Sequence, residues 1–355
     1  MLTNEEKTRY SKQIIMPEIG LSGQQKLQSA RVLVIGAGGL GCPVLQYLTA
    51  AGVGTIGIAD GDVVDLSNLQ RQVLYTTADL GNSKASTAAA RLRGLNPHVT
   101  LQVHPEFISN ANVLDILYNY DIIVDGSDNF ATRYLVSDAC VLLNKPMVSG
   151  AIYKFEGQVS VFNYLEGPTY RCLFPEPPGT GESPNCADIG VVATLPGIVG
   201  TIQANEVIKM ITGTGTVLSG KLLVVDTLTM QTDMFSFAAN PANKNITALP
   251  YETEKTCTVP ITQITYTDLL KKSASSTTVH IVDVREAEEH AIGNIGGINV
   301  PLSVLEKRYS DLNPTFDIVV YCASGTRSMH AARMLSEKGF ANVFNLTGGI
   351  SQLTL

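Results

Sequence analysis

Short apolar runs alternate with amphipathic stretches over the first two-thirds of the chain. RVLVI (31–35) is almost wholly apolar and runs into glycines, which predicts a buried strand. CPVLQYLTAAG continues at helical spacing, and GTIGIAD (54–60) predicts a second strand, so the three make one βαβ unit. Further strands are expected at 99–105, 121–126, 146–151, 157–163 and 221–227, with helices at 83–95, 108–119, 130–143 and 196–211 between most of them. No long helix fits between 146–151 and 157–163, so a mainly parallel, doubly wound sheet should finish in an antiparallel portion. The polar opening, 3–29, reads as helical.

The pattern lapses at 236–260. SFAANPANKNITALPYETEKTCTVP is polar, carries three prolines and keeps no apolar period, as a linker does. A second α/β pattern follows: strand 278–284, helix EAEEHAI, strand GINVP, helix 303–309, strand 317–322, helix 326–338 and strand 342–346. The expected division is a domain at 1–240, a linker at 241–259 and a small α/β domain at 260–355.

Composition narrows the class. With 45% hydrophobic and 16% charged residues over 355 positions, disorder and coiled coil are excluded. A net charge of −7 without any Lys/Arg run beyond two argues against a nucleic-acid surface but leaves room for one phosphate-bearing ligand. The N-terminus lacks the apolar core of an export signal, and the longest apolar stretch, 189–202, is too short to span a bilayer and contains Pro196. Six cysteines (42, 140, 172, 186, 257, 322) form no CxxC pair, so a disulfide framework is not expected. A cytoplasmic α/β enzyme is the expectation.

Gly36, Gly38, Gly39 and Gly41 of GAGGLG stand between a strand and a helix, where bare backbone approaches phosphates and the helix N-terminus supplies free N–H groups. Asp60, 19 residues after Gly41 at the end of the next strand, is placed to accept from ribose hydroxyls. Alone this specifies a nucleotide, with NAD the commoner ligand. Asn68, Arg71 and Gln72 in DVVDLSNLQRQVLY, and Lys84 in GNSKAS, add cations suited to a triphosphate that is to be cleaved. Asp125 and Asp128 in DIIVDGSDN end a strand where ligands bind in open α/β sheets, and a carboxylate there suits Mg²⁺. Asn129 fits equally as the cap of the next helix. An NAD-linked oxidoreductase would leave Arg71, Lys84 and Asp128 without roles.

These residues resemble the MoeB/ThiF family, the bacterial relatives of ubiquitin-activating enzymes. GAGGLG, SNLQRQ, DNxxxR (Asp128, Asn129, Arg133) and YRC (170–172) occur in family order between RYSKQI (9–14) and VVDT (224–227). The resemblance implies a Rossmann-like fold, a homodimer, and adenylation by ATP-Mg of the C-terminal Gly-Gly carboxylate of a small ubiquitin-fold sulfur carrier. By it, Asp60 holds the ribose; Asn68, Arg71, Gln72 and Lys84 hold the triphosphate; and Asp128 holds Mg²⁺. It also implies that an N-terminal arm reaches the partner subunit's ATP site, with Lys12 standing where the family has arginine. Cys186, between PPGTGESP (177–184) and the apolar stretch, falls in the loop whose cysteine attacks the acyl adenylate or receives a persulfide in the family; a plain loop cysteine is the alternative. The family's structural zinc is not expected: its first CxxC falls at Thr169 and Cys172, its second on Asn243, Lys244, Asn245 and Ile246.

In the last stretch, VVYCASGTR places Cys322 at a strand end, with Ala323, Ser324, Gly325 and Thr326 leading to Arg327 and a helix. Loop N–H groups then surround the sulfur, and Arg327 and the helix dipole favour its thiolate. The C-x4-R spacing, with Asp283 and Arg285 in DVR, resembles the rhodanese family over roughly 260–355. GNIGGINVP (293–301) lacks that family's histidine, and the tryptophan usual after the final Gly-Gly is also missing. Together the two resemblances imply adenylation followed by sulfur transfer from a Cys322 persulfide, giving a thiocarboxylate for molybdopterin synthesis, tRNA thiolation or thiamine synthesis. A persulfide donor such as a cysteine desulfurase is then a partner. Adenylation of another small carboxylate or peptide stays open.

Overall fold

The computed structural model describes residues 2–178, 190–249, 261–275, 278–351 and 353. The chain divides into two compact units, Met1–Tyr251 and Glu252–Leu355.

The first unit opens with α1 Asn4–Arg9, α2 Ser11–Ile14 and α3 Gly20–Ser29, so the expected helical opening is broken into three. Thr3 and Glu6 form a reciprocal cap on α1. Then come β1 Arg31–Ile35, α4 Gly41–Ala51, β2 Thr55–Ala59, α5 Lys84–Leu95, β3 Thr100–His104, α6 Val113–Tyr118, β4 Ile122–Asp125 and α7 Phe130–Leu142. The unit closes with β5 Met147–Tyr153, β6 Glu156–Phe162, α8 Tyr170–Leu173, α9 Leu195–Thr212, β7 Lys221–Asp226 and β8 Gln231–Ser236.

These strands form one sheet in the order β3-β2-β1-β4-β5-β6-β7-β8. It is parallel from β3 to β5 and antiparallel from β5 to β8. Alternate side chains of β1 feed opposite cores: Val32 and Val34 pack in the cluster with α4 and α9, Leu33 and Ile35 in the cluster with α6 and α7. Covering both faces is why RVLVI shows no polar alternation. Strand order reverses between β2 and β4 about β1, which opens a crevice at the carboxyl ends of β1 and β4.

Two sequence expectations change here. The all-exposed strand β8 was not anticipated, because QTDMFS gains its place by pairing with β7 and not by burial. The expected linker at 241–259 is not one throughout. Asn240 and Asn243 contact Cys172, Lys244 pairs with Glu166 at 2.7 Å, and Leu249 packs on the core, so 241–249 adheres to the first unit.

The second unit comprises β9 Thr262–Ile264, α10 Tyr266–Ser275, β10 Val279–Asp283, α11 Ala287–Ile292, β11 Ile298–Asn299, α12 Leu302–Arg308, β12 Asp317–Tyr321, α13 Thr326–Glu337 and β13 Val343–Leu346. Its five strands are parallel, in the order β11-β10-β12-β13-β9. Asp283 of β10 lies opposite Tyr321 of β12, so the loops that follow these two strands share one edge of the sheet. Sequence reading began this unit at residue 260 but named its first element at 278, and so missed β9 and α10.

Candidate functional site

The loop after β1 is built for close approach. A Cβ on Gly36, whose φ is 86°, would lie 2.8 Å from the Gly126 carbonyl, and one on Gly41 would collide with the Gly36 carbonyl. Gly126 N–H donates to Ile35 O at 2.9 Å, joining this loop to the one after β4. Asp60 follows β2, and its carboxylate accepts the N–H of Ala37 at 2.7 Å and of Asp62 at 2.8 Å. Each oxygen keeps a second lone pair for a ribose hydroxyl. Burial raises the Asp60 carboxyl above its ordinary value, against the pull of the Asp62 N–H, Lys84 and the Ala37 N–H.

The segment after β2 folds back onto the glycines. Asp65 caps a short turn, and the Asn68 carbonyl accepts the N–H groups of Arg71 and Gln72. The Gln72 amide lies 3.4 Å from where a Cβ on Gly38 would be, and Arg71 Cδ 3.7 Å from one on Gly39. Gln72 is buried, yet among the described residues its Oε1 has no hydrogen-bond partner, a polar atom that a ligand would satisfy. Tyr75, also buried, sets its hydroxyl 2.7 Å from Ala37 O and 3.2 Å from Lys84 O, tying the glycine loop to the start of α5. Lys84 itself is paired with Asp62 at 3.0 Å.

The two aspartates after β4 differ in kind. Asp125 is wholly buried and structural: it accepts from Ser127 N–H and Oγ and from Ser149 Oγ, with Arg133 Nε at 3.3 Å. Gln203 of α9 donates to its carbonyl, and Arg133 to the Ser127 carbonyl. Asn129 caps α7 through Thr132 N–H. Asp128, held by this scaffold, is exposed at the mouth of a cleft of about 220 Å³ that runs past Ser149, Gln158, Ser160, Tyr170 and Phe174. One exposed carboxylate on the loop after β4 could hold Mg²⁺, which takes one or two protein carboxylates and fills its shell with phosphate and water.

Two residues that the sequence singled out, Lys12 and Cys172, stand apart from this cluster. Lys12 is exposed on α2, whose Gln13 donates to Ala51 O at the C-terminal end of α4, while the glycine loop lies at the N-terminal end. Cys186 lies outside the described residues. Cys172 stands where the family's zinc would sit, but its sulfur accepts the Asn240 N–H at 3.2 Å and contacts Asn243 Nδ2 at 3.7 Å and Thr169 Oγ1 at 3.4 Å. Burial opposes ionisation there, but these contacts bring the thiol below its usual range. One thiol among a hydroxyl and amides does not fit tetrahedral zinc.

In the second unit Cys322 is buried at the end of β12, and its sulfur accepts Gly325 N–H at 3.1 Å and Ser328 Oγ at 3.4 Å. Gly349 backs the loop so closely that a Cβ would strike the carbonyls of Cys322 and Ala323. Arg285 is bound to Asp283, and His290 Nδ1 lies 2.8 Å from the same carboxylate. Burial would raise Asp283, but Arg285 and His290 together hold it below its ordinary value. Arg327 forms a bidentate pair with Glu289, 2.7 Å at each contact. Sequence reading missed Asp62, Tyr75, Gln203, Glu289, His290 and Ser328. Ser328 was detectable as the hydroxyl one residue beyond the C-x4-R spacing; the others depend on folding.

Residues 10–248 match the ThiF family and residues 266–354 the rhodanese-like domain. The probable adenylyltransferase/sulfurtransferase MoeZ of Mycobacterium tuberculosis is 43% identical over 98% of this chain and 93% of its own. The sulfur carrier protein adenylyltransferase of Thermus thermophilus is 51% identical over 67% of this chain and 90% of its own. E. coli MccB, in its succinimide complex, shares the fold at a TM-score of 0.59 and 21% identity, over 68% of this chain and 73% of that one. Among the described residues no helix is long and apolar enough to cross a membrane. The chain thus belongs to the ThiF family of adenylyltransferases, in the branch that carries a rhodanese-like sulfurtransferase domain.

Proposed function

We propose that this protein, a cytoplasmic enzyme, adenylates the C-terminal Gly-Gly carboxylate of a small ubiquitin-fold sulfur carrier and then converts it to a thiocarboxylate. The observation that carries the first half is the seating of Arg71 and Gln72 on the glycine loop, with Gln72 Oε1 buried and unpartnered. Asp60 takes the ribose hydroxyls, and Arg71, Gln72, Asn68 and Lys84 bind the triphosphate. The carrier's tail enters the cleft beside Asp128, which leads its carboxylate to the α-phosphate. The carboxylate oxygen attacks that phosphorus, the bond to the bridging oxygen breaks, and pyrophosphate leaves with its charge met by Arg71 and Lys84. Asp128 would hold Mg²⁺, which would supply further charge neutralisation at the triphosphate.

For the second half, a persulfide on Cys322 attacks the acyl carbon and displaces AMP, forming an acyl disulfide. A second thiol, Cys186 in this proposal, attacks the Cys322 sulfur and releases the thiocarboxylate; the Cys186–Cys322 disulfide left behind is reduced by a dithiol reductant. The sulfur comes from a protein persulfide donor such as a cysteine desulfurase. Lys12 acts on the partner's nucleotide in a homodimer, because its helix sits at the wrong end of α4 to act on its own.

ATP–pyrophosphate exchange with each Gly-Gly-ending carrier of the same genome tests the reading. Exchange that depends on one carrier is expected and assigns the pathway, with molybdopterin synthesis the destination proposed. ATP binding without carrier-dependent exchange would move the substrate to another small carboxylate.

A further inference from the structure

Both arginines of the two segments that share the Cys322 edge of the sheet are already matched by carboxylates. Arg285 donates through Nε and Nη2 to Asp283, and through Nη2 to the Gly293 carbonyl. Arg327 sets its two terminal nitrogens against the two oxygens of Glu289, fork on fork. Glu289 stands on α11 after β10 and Arg327 on α13 after β12, and these strands are paired neighbours, so the ion pair spans the edge that holds the Cys322 loop. Glu289 is fixed a second time by the Glu286 N–H at 3.1 Å. Arg327 holds the Glu289 carboxyl below its ordinary range, which keeps it ionised at neutral pH. Nearby, α11 and the residue before it add Glu286, Glu288 and the aromatic His290, while Ala323, Ser324 and Gly325 of the loop carry no charge.

A sulfur donor's charge is therefore weighed at this rim. Thiosulfate is a dianion and gains only where positive charge is uncompensated, whereas a terminal persulfide sulfur carries at most one charge. We infer that Glu289 is a specificity-determining residue, which by neutralising Arg327 turns the Cys322 site away from dianionic donors and toward the terminal sulfur of a persulfide. The inference rests on Cys322 being the sulfur-bearing residue. Both donors can load it in balanced steps. The Cys322 thiolate attacks the outer sulfur of thiosulfate, an S–S bond forms, and sulfite leaves with the electron pair of the broken bond. With R–S–SH the thiolate attacks the terminal sulfur, which keeps its proton, and the donor leaves as R–S⁻.

The test uses the full chain, with persulfide at Cys322 read by mass spectrometry and its formation rate measured from thiosulfate and from cysteine persulfide. Glu289→Gln keeps the shape and removes the charge, and the ratio of kcat/KM for thiosulfate to that for cysteine persulfide should rise ~10-fold, through a lower KM for thiosulfate. Glu289→Asp, which keeps the charge, should stay near the wild-type ratio. An unchanged or lower ratio in Glu289→Gln, with Cys322 still loaded, overturns the role of Glu289 alone. No loading of Cys322 from either donor in the wild type overturns the reading beneath it. A measurement without variants decides the same point should Glu289→Gln fold poorly. Raising ionic strength to about 0.2 M should leave the wild-type rate with thiosulfate level or increase it, and a marked fall would mean that Arg327 acts uncompensated.

Discussion

The ammonium of Lys84 lies 3.0 Å from the carboxylate of Asp62, with the lysine side chain 8% exposed and the aspartate 56%. The buried partner is the one proposed to meet the triphosphate, so nucleotide and Asp62 compete for the same cation. Asp62→Asn should lower the melting temperature of the free enzyme by a few degrees, about 2–4 °C for each kcal/mol in a unit of this size. It should also tighten ATP roughly fivefold, since a negative charge leaves the phosphate site. Calorimetry on both proteins checks the pair of effects. A weaker ATP complex would mean that Asp62 helps to hold the nucleotide.

Tyr75 joins the glycine loop to the start of α5, which carries Lys84. Tyr75→Phe deletes the hydroxyl that reaches Ala37 O and Lys84 O and should cost about 1 kcal/mol of stability. Because the two phosphate-binding elements lose their tie, KM for ATP should rise several-fold with a smaller change in kcat. Steady-state kinetics at saturating carrier separate the two.

Burial raises the Asp60 carboxyl above the ordinary aspartate value of 3.8. The group therefore takes up its proton at a higher pH than a free aspartate, and the ionised acceptor is complete only above that raised pKa. ATP binding should weaken as pH falls toward it. The ratio of wild-type to Asp60→Asn affinity, in which ATP's own titration cancels, should decline on acidification beginning above pH 3.8. A ratio flat through that range would remove Asp60 from ribose binding.

Ser328 gives the Cys322 sulfur a hydroxyl donor from inside α13, at 3.4 Å. Ser328→Ala should slow loading of Cys322 about tenfold through kcat, because the hydroxyl, which lies 3.2 Å from Gly325 O and 3.4 Å from the sulfur, can turn to stabilise charge on the attacking sulfur. Restoration by Ser328→Thr would show that the hydroxyl, and not the packing, matters.

At the Cys172 corner, metal analysis should find no stoichiometric zinc, and a chelator should leave the melting temperature in place. Cys172→Ala should lower stability by about 1 kcal/mol, since the Asn240 N–H loses its acceptor.

The sequence was most legible where burial on two faces leaves an apolar run. RVLVI, DIIVDG and the helix at 130–143 all fall within two residues of their observed limits. It was least legible where pairing substitutes for burial. β8 has every residue exposed, and β9 has three residues of which two are exposed, so neither carries a period to read. For the candidate site, motif spacing singled out Gly36, Asp60, Arg71, Lys84 and Asp128, and the fold sets the segments that carry them around one crevice. The resemblance chose Asp128 over Asp125, but only the fold shows the physical reason: Ser127, Ser149 and Arg133 close around Asp125. Glu289 was illegible for a related reason: it lies 38 residues from Arg327, and their meeting depends on the adjacency of β10 and β12.

The docking of Gln13 on Ala51 fixes the N-terminal arm about 16 Å, the length of α4, from the glycine loop of its own chain. Under the proposed reading Lys12 serves the nucleotide of another copy, and a solitary subunit would lack one of its cations. An enzyme so arranged would gauge its own abundance: turnover per subunit would fall on dilution as the copies part, and a catalytically dead chain with an intact arm would revive a partner whose only defect is at Lys12.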